Sequence, residues 1–305
     1  MKKEIFNAIK KIKFDYKEII LNKTRYYHIK NNKDYDVNII IPLYKRQKYL
    51  YKTVESFQKA IEKCQNKKIN ITISELVDAE EDNFNFCIKN NLDYICLETK
   101  SKMNFPKSLL MNLAALHGCN SEWFLFHDVD CLPQSDFLNN LFENINKKNS
   151  KAIQSFQKRR VLYLNNEITE DVFNNKIKVD DLNIDNPKVS LPITLGAPGG
   201  SIMINKKTFL DVGGYDDQLF TGYAPEDFYF WEKVVFTQGY FDSCDNPENE
   251  LYHLEHDRKN ENEQEIYEKN ALMQDAFIKM SIREKKEFVS YQKNRINKYF
   301  KITVQ

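Results

Sequence analysis

The chain has 305 residues, 42% of them apolar and 13% aromatic, and its 45 basic and 44 acidic side chains leave a formal charge of +1. That is material for one large or two small domains with a sizeable core, and the even charge gives no reason to expect a nucleic-acid partner. Six scattered cysteines form no C-x-x-C pair, which argues against a zinc site or redox dithiol and for a reduced, intracellular chain. Residues 1–35 are rich in lysine, and Ile5, Ile9 and Ile12 fall at helical spacing. Such a basic amphipathic helix either packs on the body or makes peripheral contact, through residues 1–30, with an anionic membrane surface. Lys10, Lys11 and Lys13 interrupt any signal-peptide core, and no apolar run reaches the roughly 18 residues of a membrane span.

Asp36 to Tyr44 is the first strand, continuously apolar as in a parallel sheet and closed by Pro42. A helix over 47–63 follows, with Leu50, Val54, Phe57 and Ile61 on one face. Strands are expected at 68–77 and 92–97, a short helix at 84–90, and a helix at 105–117 entered through Pro106. Trp123 to His127 is a buried strand running into Asp128-Val129-Asp130 and stopped by Pro133. The order is that of a doubly wound α/β half with a mostly parallel sheet. Ser135 reads as the N-cap of a helix to about Lys147, and 151–156 as a strand. The polar stretch 159–190 reads as an irregular loop, either a substrate-side excursion or a plain insertion. A glycine-rich turn, Gly196 to Gly200, leads into a strand, then a helix over 206–212 closed by Gly213-Gly214. Another helix begins near Pro225, with Glu226 and Asp227 in its first turn, where the helix dipole favours acids. Residues 239–241 read as a last strand, and a charged helical tail runs from 259 to 305.

Three features carry chemistry. Two carboxylates two apart at a strand end point the same way and are costly to bury without a cation. His253 and His256 lie three apart after the last core strand, and with Asp130 they offer imidazole and carboxylate to Mn²⁺ or another divalent cation with positions left for diphosphate. Arg46 lies on the loop after the first strand, where open α/β sheets bind ligands, and Asp227 is a candidate general base.

Four blocks in order resemble the β-1,4-galactosyltransferase family of GT-A-fold glycosyltransferases and its bacterial relatives. They are Ile40 to Gln47, Phe124 to Pro133, Pro198 to Tyr215 with Gly222 to Asp227, and His253 to His256, together spanning about 36–258. The resemblance implies a GT-A (nucleotide-diphospho-sugar transferase) fold over 36–258, with a nucleotide half to about 133 and an acceptor half beyond it. Residues 1–35 and 259–305 would be helical extensions. It implies that Pro42, Tyr44, Arg46, Asp128, Val129, Ala197, Gly199 and Gly200 bind the donor and nucleotide. Asp130, His253 and His256 would hold the metal, Glu226 and Tyr223 the acceptor, and Asp227 would be the base. Tyr223 replaces the family's tryptophan, Ala224-Pro225 replace two glycines, and His253 replaces a methionine. The small Ala197 leaves room for an N-acetyl group on the donor.

The function expected is inverting, metal-dependent transfer of galactose or N-acetylgalactosamine from a UDP-sugar to an oligosaccharide or lipid-linked glycan. The setting expected is the cytoplasm or the inner face of the membrane, in bacterial surface-polysaccharide synthesis. A sugar-phosphate nucleotidyltransferase and a non-catalytic carbohydrate-binding relative are the competing readings.

Overall fold

The computed structural model describes residues 19, 23–27, 34–78, 82–99, 104–157, 160–183, 193–194, 199–218, 220, 222, 225–256 and 263–299. The expected helix over Ile5 to Ile12 lies outside them, as do Ala197, Pro198, Tyr223 and Ala224. The strands are β1 (Thr24–Tyr27), β2 (Tyr35–Leu43), β3 (Ile69–Val77), β4 (Asp93–Glu98), β5 (Ser121–His127) and β6 (Cys131–Leu132). They continue as β7 (Ala152–Gln157), β8 (Val161–Tyr163), β9 (Ile193–Thr194), β10 (Ser201–Asn205), β11 (Asp242–Cys244) and β12 (Leu251–His253). The helices are α1 (Gln47–Lys63), α2 (Phe84–Lys89), α3 (Lys107–His117), α4 (Phe137–Lys148) and α5 (Asn166–Phe173). The second half adds α6 (Lys206–Asp211), α7 (Glu226–Gln238), α8 (Glu263–Ile278) and α9 (Ile282–Tyr299). No described helix is long and apolar enough to cross a membrane.

The large sheet has the order β1-β4-β3-β2-β5-β10-β7-β11. Its centre, β4-β3-β2-β5, is parallel, as the alternation of strands and helices and the apolar runs of β2 and β5 predict. Beyond β5 the sheet becomes mixed, because β10 runs antiparallel to both β5 and β7. Both faces are covered. Val37, Ile39 and Ile41 meet Val54 and Phe57 of α1 and Leu138 and Leu141 of α4. Ile40, Phe124 and Phe126 meet Leu109, Leu110 and Leu113 of α3, Phe209 of α6 and Phe230 of α7.

Several expectations are corrected. Residues 24–27 are strand and not helix: Thr-Arg-Tyr-Tyr suits a sheet edge and pairs antiparallel with β4. The stretch read as an irregular loop over 159–190 folds through residue 183 into β8, α5 and a 3₁₀ turn at Val179–Asp181. Ile168 and Val172, one helical turn apart, bury against Leu162 and Leu182. The side chain of Asn165 caps α5, accepting from the Ile168 N–H at 2.8 Å. These residues join a second sheet, β6-β12-β8-β9. Ser135 caps nothing: α4 starts at Phe137, and the Ser135 N–H donates to Asp180 Oδ1 at 2.7 Å. The strand expected at 239–241 lies at Asp242–Cys244, because Gly239, at φ +84°, ends α7.

The C-terminal tail is helical but not an appendage. Phe288 and Ile296 of α9 are fully buried, and its backbone crosses directly over Gly213. That glycine has φ +77°, and a Cβ there would lie 2.7 Å from the carbonyl carbon of Gln292. Gly213→Ala should therefore cost at least about 1–2 kcal/mol from the left-handed backbone alone. Urea unfolding should show a lower midpoint at unchanged slope; an unchanged midpoint would overturn both the left-handed conformation of Gly213 and the passage of α9 over it.

Candidate active site

The site forms where β5 ends between a parallel and an antiparallel neighbour. Ser201 of β10 pairs with His127, so Gly199 and Gly200 come alongside Asp128, whose N–H donates to the Gly200 carbonyl at 2.9 Å. The chain then turns through Val129 and Asp130 into β6. Three groups hold the turn. Thr53 of α1 donates to the Val129 carbonyl at 2.7 Å. His127 Nε2 donates to the Cys131 carbonyl at 3.0 Å, which leaves Nδ1 to accept from the Ser201 hydroxyl at 2.9 Å. Burial pushes the His127 imidazole down to about 4, so it stays neutral and keeps this tautomer. The Val129 side chain packs into the core, so any ligand contact there falls to its backbone.

The two acids of the turn face different partners. Asp130, 4% exposed, meets His256 Nε2 at 3.2 Å, His253 Nε2 at 3.6 Å and the guanidinium of Arg46. Burial alone would raise its carboxyl. The charges of His253, His256 and Arg46 overcome that and hold it well below the ordinary range. The histidines arrive there because β12 pairs with β6, aligning His253 with Cys131, and because the Leu254 N–H donates to the Asp130 carbonyl at 2.8 Å. The loop beyond is pinned by Tyr49, whose hydroxyl donates to the Glu255 carbonyl at 2.9 Å. Thr169 of α5 pins it too, accepting from the Glu255 N–H at 3.0 Å. Residues 160–183 thus include a brace for the histidine loop. One ligand atom each from Asp130, His253 and His256 lies within 4.8 Å of the others. One hard carboxylate and two imidazoles, preformed and converging, fit a first-row divalent cation.

Asp128 points to a second cluster. Lys107 Nζ lies 2.8 Å from Asp128, 3.0 Å from Glu226 and 3.0 Å from Asp227. Burial would lower its pKa, but the three carboxylates push it well above the ordinary lysine value. Asp128 and Glu226 are both raised, by burial first and by their acidic neighbours against Lys107. Asp227 lies against Gly199 so closely that a Cβ there would sit 2.3 Å from Oδ2, which accounts for the glycine. The sequence reading missed Lys107. A signal was present: a lysine at the first position of a helix opposes the macrodipole and needs acids to hold it there.

Pro42 aligns with Ser74 within β2 and β3. Tyr44 stacks on Phe105 at 6.0 Å and donates to Asp78 Oδ2 at 2.7 Å, while Lys45 pairs with Asp78 at 2.9 Å. Beyond these strand ends lies a cavity of about 470 Å³ lined by Lys45, Gln47, Glu75, Leu76, Val77, Asp78 and Asn83. Tyr223 and Ala197 lie outside the described residues.

Residues 38–267 match the model of a family described as glycosyltransferase like family 2. The chain is similar in structure to the mannosyltransferase PcManGT from Pyrobaculum calidifontis, solved with GDP-Man and Mn²⁺ (TM-score 0.52, 12% identity, 96% of this chain and 78% of that one). It is also similar to residues 1–349 of S. aureus TarS (TM-score 0.50, 13% identity, 87% and 72%). A third match is the catalytic domain of Drosophila β1,4-galactosyltransferase 7 in complex with xylobiose (TM-score 0.46, 14% identity, 77% and 79%). At these identities the likeness is one of fold. No curated protein matches the chain significantly.

The carboxyl of Glu226 is raised from 4.5 to about 7. Between those values the folded protein binds more protons than the unfolded chain, so its contribution to stability falls as pH rises through that window. Lys107→Met removes the opposing ammonium and should steepen the fall. Urea unfolding should separate the variant from wild type by about 3–5 kcal/mol near pH 8, as for other broken buried pairs, and by much less near pH 5. Equal gaps at the two pH values would dismiss the electrostatic role of Lys107.

Proposed function

The chain belongs to the glycosyltransferase-like family 2 and has its GT-A fold, and we propose that it is an inverting, metal-dependent enzyme moving galactose or N-acetylgalactosamine from a UDP-sugar to a glycan hydroxyl. The observation that carries this reading is the Asp128-Val129-Asp130 turn. One of its acids faces two imidazoles and a guanidinium, and the other faces an ammonium shared with Glu226 and Asp227.

Asp130, His253 and His256 would hold the cation, as their convergence suits; PcManGT, of the same fold, is solved with Mn²⁺. A bound Mn²⁺ supplies positive charge against the departing diphosphate, an effect of several kcal/mol. Arg46, beside Asp130, binds the anionic donor. The cavity beyond β2 and β3, next to Tyr44, takes the nucleoside, in keeping with ligand placement at the carboxyl ends of parallel strands. Asp128, fixed by Lys107, orients the donor against the Gly199-Gly200 backbone. Glu226 and Tyr223 bind the acceptor. Asp227 takes the proton from the acceptor hydroxyl as its oxygen bonds the anomeric carbon. The bond to UDP breaks on the opposite face, its electron pair leaves with UDP, and configuration inverts. General-base assistance of this kind is worth about 10²–10⁴ in rate.

Where the resemblance implies contact with the donor, the sequence has the small Ala197, which supports a donor with an N-acetyl group. The basic stretch 1–30 suits an acceptor held at an anionic membrane surface, such as a lipid-linked precursor of a bacterial surface polysaccharide.

UDP-Gal, UDP-GalNAc and UDP-Glc should be compared as donors by their hydrolysis with Mn²⁺. EDTA should abolish turnover and Mn²⁺ restore it; turnover that survives chelation would remove the metal assignment. Asp227→Asn should lower turnover by about 10² or more while UDP affinity, read by calorimetry, stays within about twofold. Full activity in that variant would sink the base assignment.

A further inference from the structure

Tyr215 is a buried phenol that the proposed reaction does not use. Its side chain is 0% exposed, stacked on Phe230 at 4.1 Å and set edge-on to Phe126 at 5.1 Å. A phenylalanine would fill the same space. The hydroxyl, however, is aimed at the acceptor-side carboxylate: it donates to Asp227 Oδ1 at 3.4 Å, while Lys107 Nζ holds Oδ2 at 3.0 Å. Each oxygen of Asp227 therefore has its own donor, one on α3 and one on the turn between α6 and α7. Burial holds the phenol well above its ordinary pKa, so it remains a donor.

The turn that carries Tyr215 is clamped from two sides. Asn112 of α3 accepts from the Tyr215 N–H at 3.0 Å and donates to the Tyr215 carbonyl at 2.9 Å and to Asp217 Oδ2 at 2.7 Å. From the C-terminal helix, Arg295 pairs with Asp217 Oδ1 at 2.6 Å and Gln292 donates to Asp216 Oδ2 at 2.8 Å. Asp217 and Arg295 are 0% and 5% exposed in their side chains. An ion pair that deep is costly to assemble and costly to break from one side. It fixes the turn on α9, and the same turn delivers the phenol to Asp227.

We propose that Tyr215 is a positioning residue for Asp227, and that helix α9 keeps it in place through Arg295 and Gln292. The inference rests on the reading of Asp227 as the base. A base must lie within hydrogen-bond reach of the proton it takes, and misplacement by about 1 Å can cost about 10²-fold in rate. The C-terminal helix, remote in sequence from every other site residue, is thereby part of the catalytic apparatus.

The test uses the full-length chain and the UDP-sugar hydrolysed fastest of the three compared above. Tyr215→Phe should lower kcat about tenfold or more, with the KM for the donor and the thermal midpoint near wild type. Arg295→Met should lower both the thermal midpoint and kcat, the latter measured well below that midpoint, and Arg295→Lys, which keeps the charge, should recover part of each; wild-type kcat in Arg295→Met would remove α9 from the proposal. Asp227→Asn with Tyr215→Phe should be no slower than Asp227→Asn alone, because the phenol acts through that carboxylate. Wild-type kcat in Tyr215→Phe beside an inactive Asp227→Asn overturns this inference and leaves the base assignment standing. A joint fall of kcat and thermal midpoint in Tyr215→Phe makes the hydroxyl structural and overturns it as well. Activity in Asp227→Asn overturns the base assignment and this inference with it.

Discussion

Two carboxylates of like sign on one turn, Asp128 and Asp130, impose the constraint that the surrounding structure answers. Ionised carboxylates cannot be taken out of water without partners. The turn separates them by sinking the Val129 side chain between them into the core. Each then receives its own cationic groups from a different part of the chain. Arg46 follows β2, His253 and His256 come with β12, and Lys107 opens α3. The parallel strands bring the first loop and the acidic turn to one edge of the sheet. The switch to an antiparallel β10 brings the glycines to the same edge. The outcome differs for the two acids. Asp130 is held well below the ordinary carboxylate range, whereas Asp128 is raised, because burial and its acidic neighbours outweigh one lysine.

The groups that support the turn are ordinary core residues. Thr53, His127 and Ser201 use their polar atoms on backbone carbonyls or on one another, and each sits at a position that the sheet and α1 already bury. The histidine loop is braced in a similar way by Tyr49 and Thr169. That brace gives residues 160–183 a purpose within the fold. Their small sheet includes the strand that ends in His253, so the excursion and the imidazoles of the site are built as one unit.

The legible parts were those in which one short stretch contains both the pattern and its cause. β2 and β5 are apolar runs that only a two-sided burial satisfies, and three motifs mark element ends: Asp-Val-Asp follows β5, Gly-Gly precedes β10 and Glu-Asp opens α7. The parts that were not legible depend on pairing between distant segments. Thr24–Tyr27 is strand only because β4 offers it an edge. Residues 159–183 look polar because their apolar side, Ile168, Val172 and Leu182, is narrow and is completed by Leu162, Tyr252 and Leu254. The tail reads as a charged helix because its buried stripe includes Gln292 and Arg295, polar residues whose partners, Asp216 and Asp217, lie more than seventy residues earlier. Lys107 reads as a solvated helix residue until Asp128, Glu226 and Asp227 are brought around it.

The placement of Lys107 shows which force is in command there. A cation in the first turn of a helix opposes the macrodipole at a cost of about 0.3–1 kcal/mol. An ion pair near 3 Å gains roughly 5 kcal/mol at an effective dielectric of about 20, before desolvation, and Lys107 makes three such contacts. The carboxylates therefore decide where the ammonium sits, and the start of α3 follows. Two of the three, Glu226 and Asp227, stand at the start of α7, where the dipole favours them. Without a cation among them, three carboxylates this close could not all remain ionised. One ammonium thus joins the end of β5 to the start of α7. Whatever binds against Asp128 is set at a fixed distance from whatever binds against Asp227, and that spacing is a property of the charge cluster as much as of the backbone.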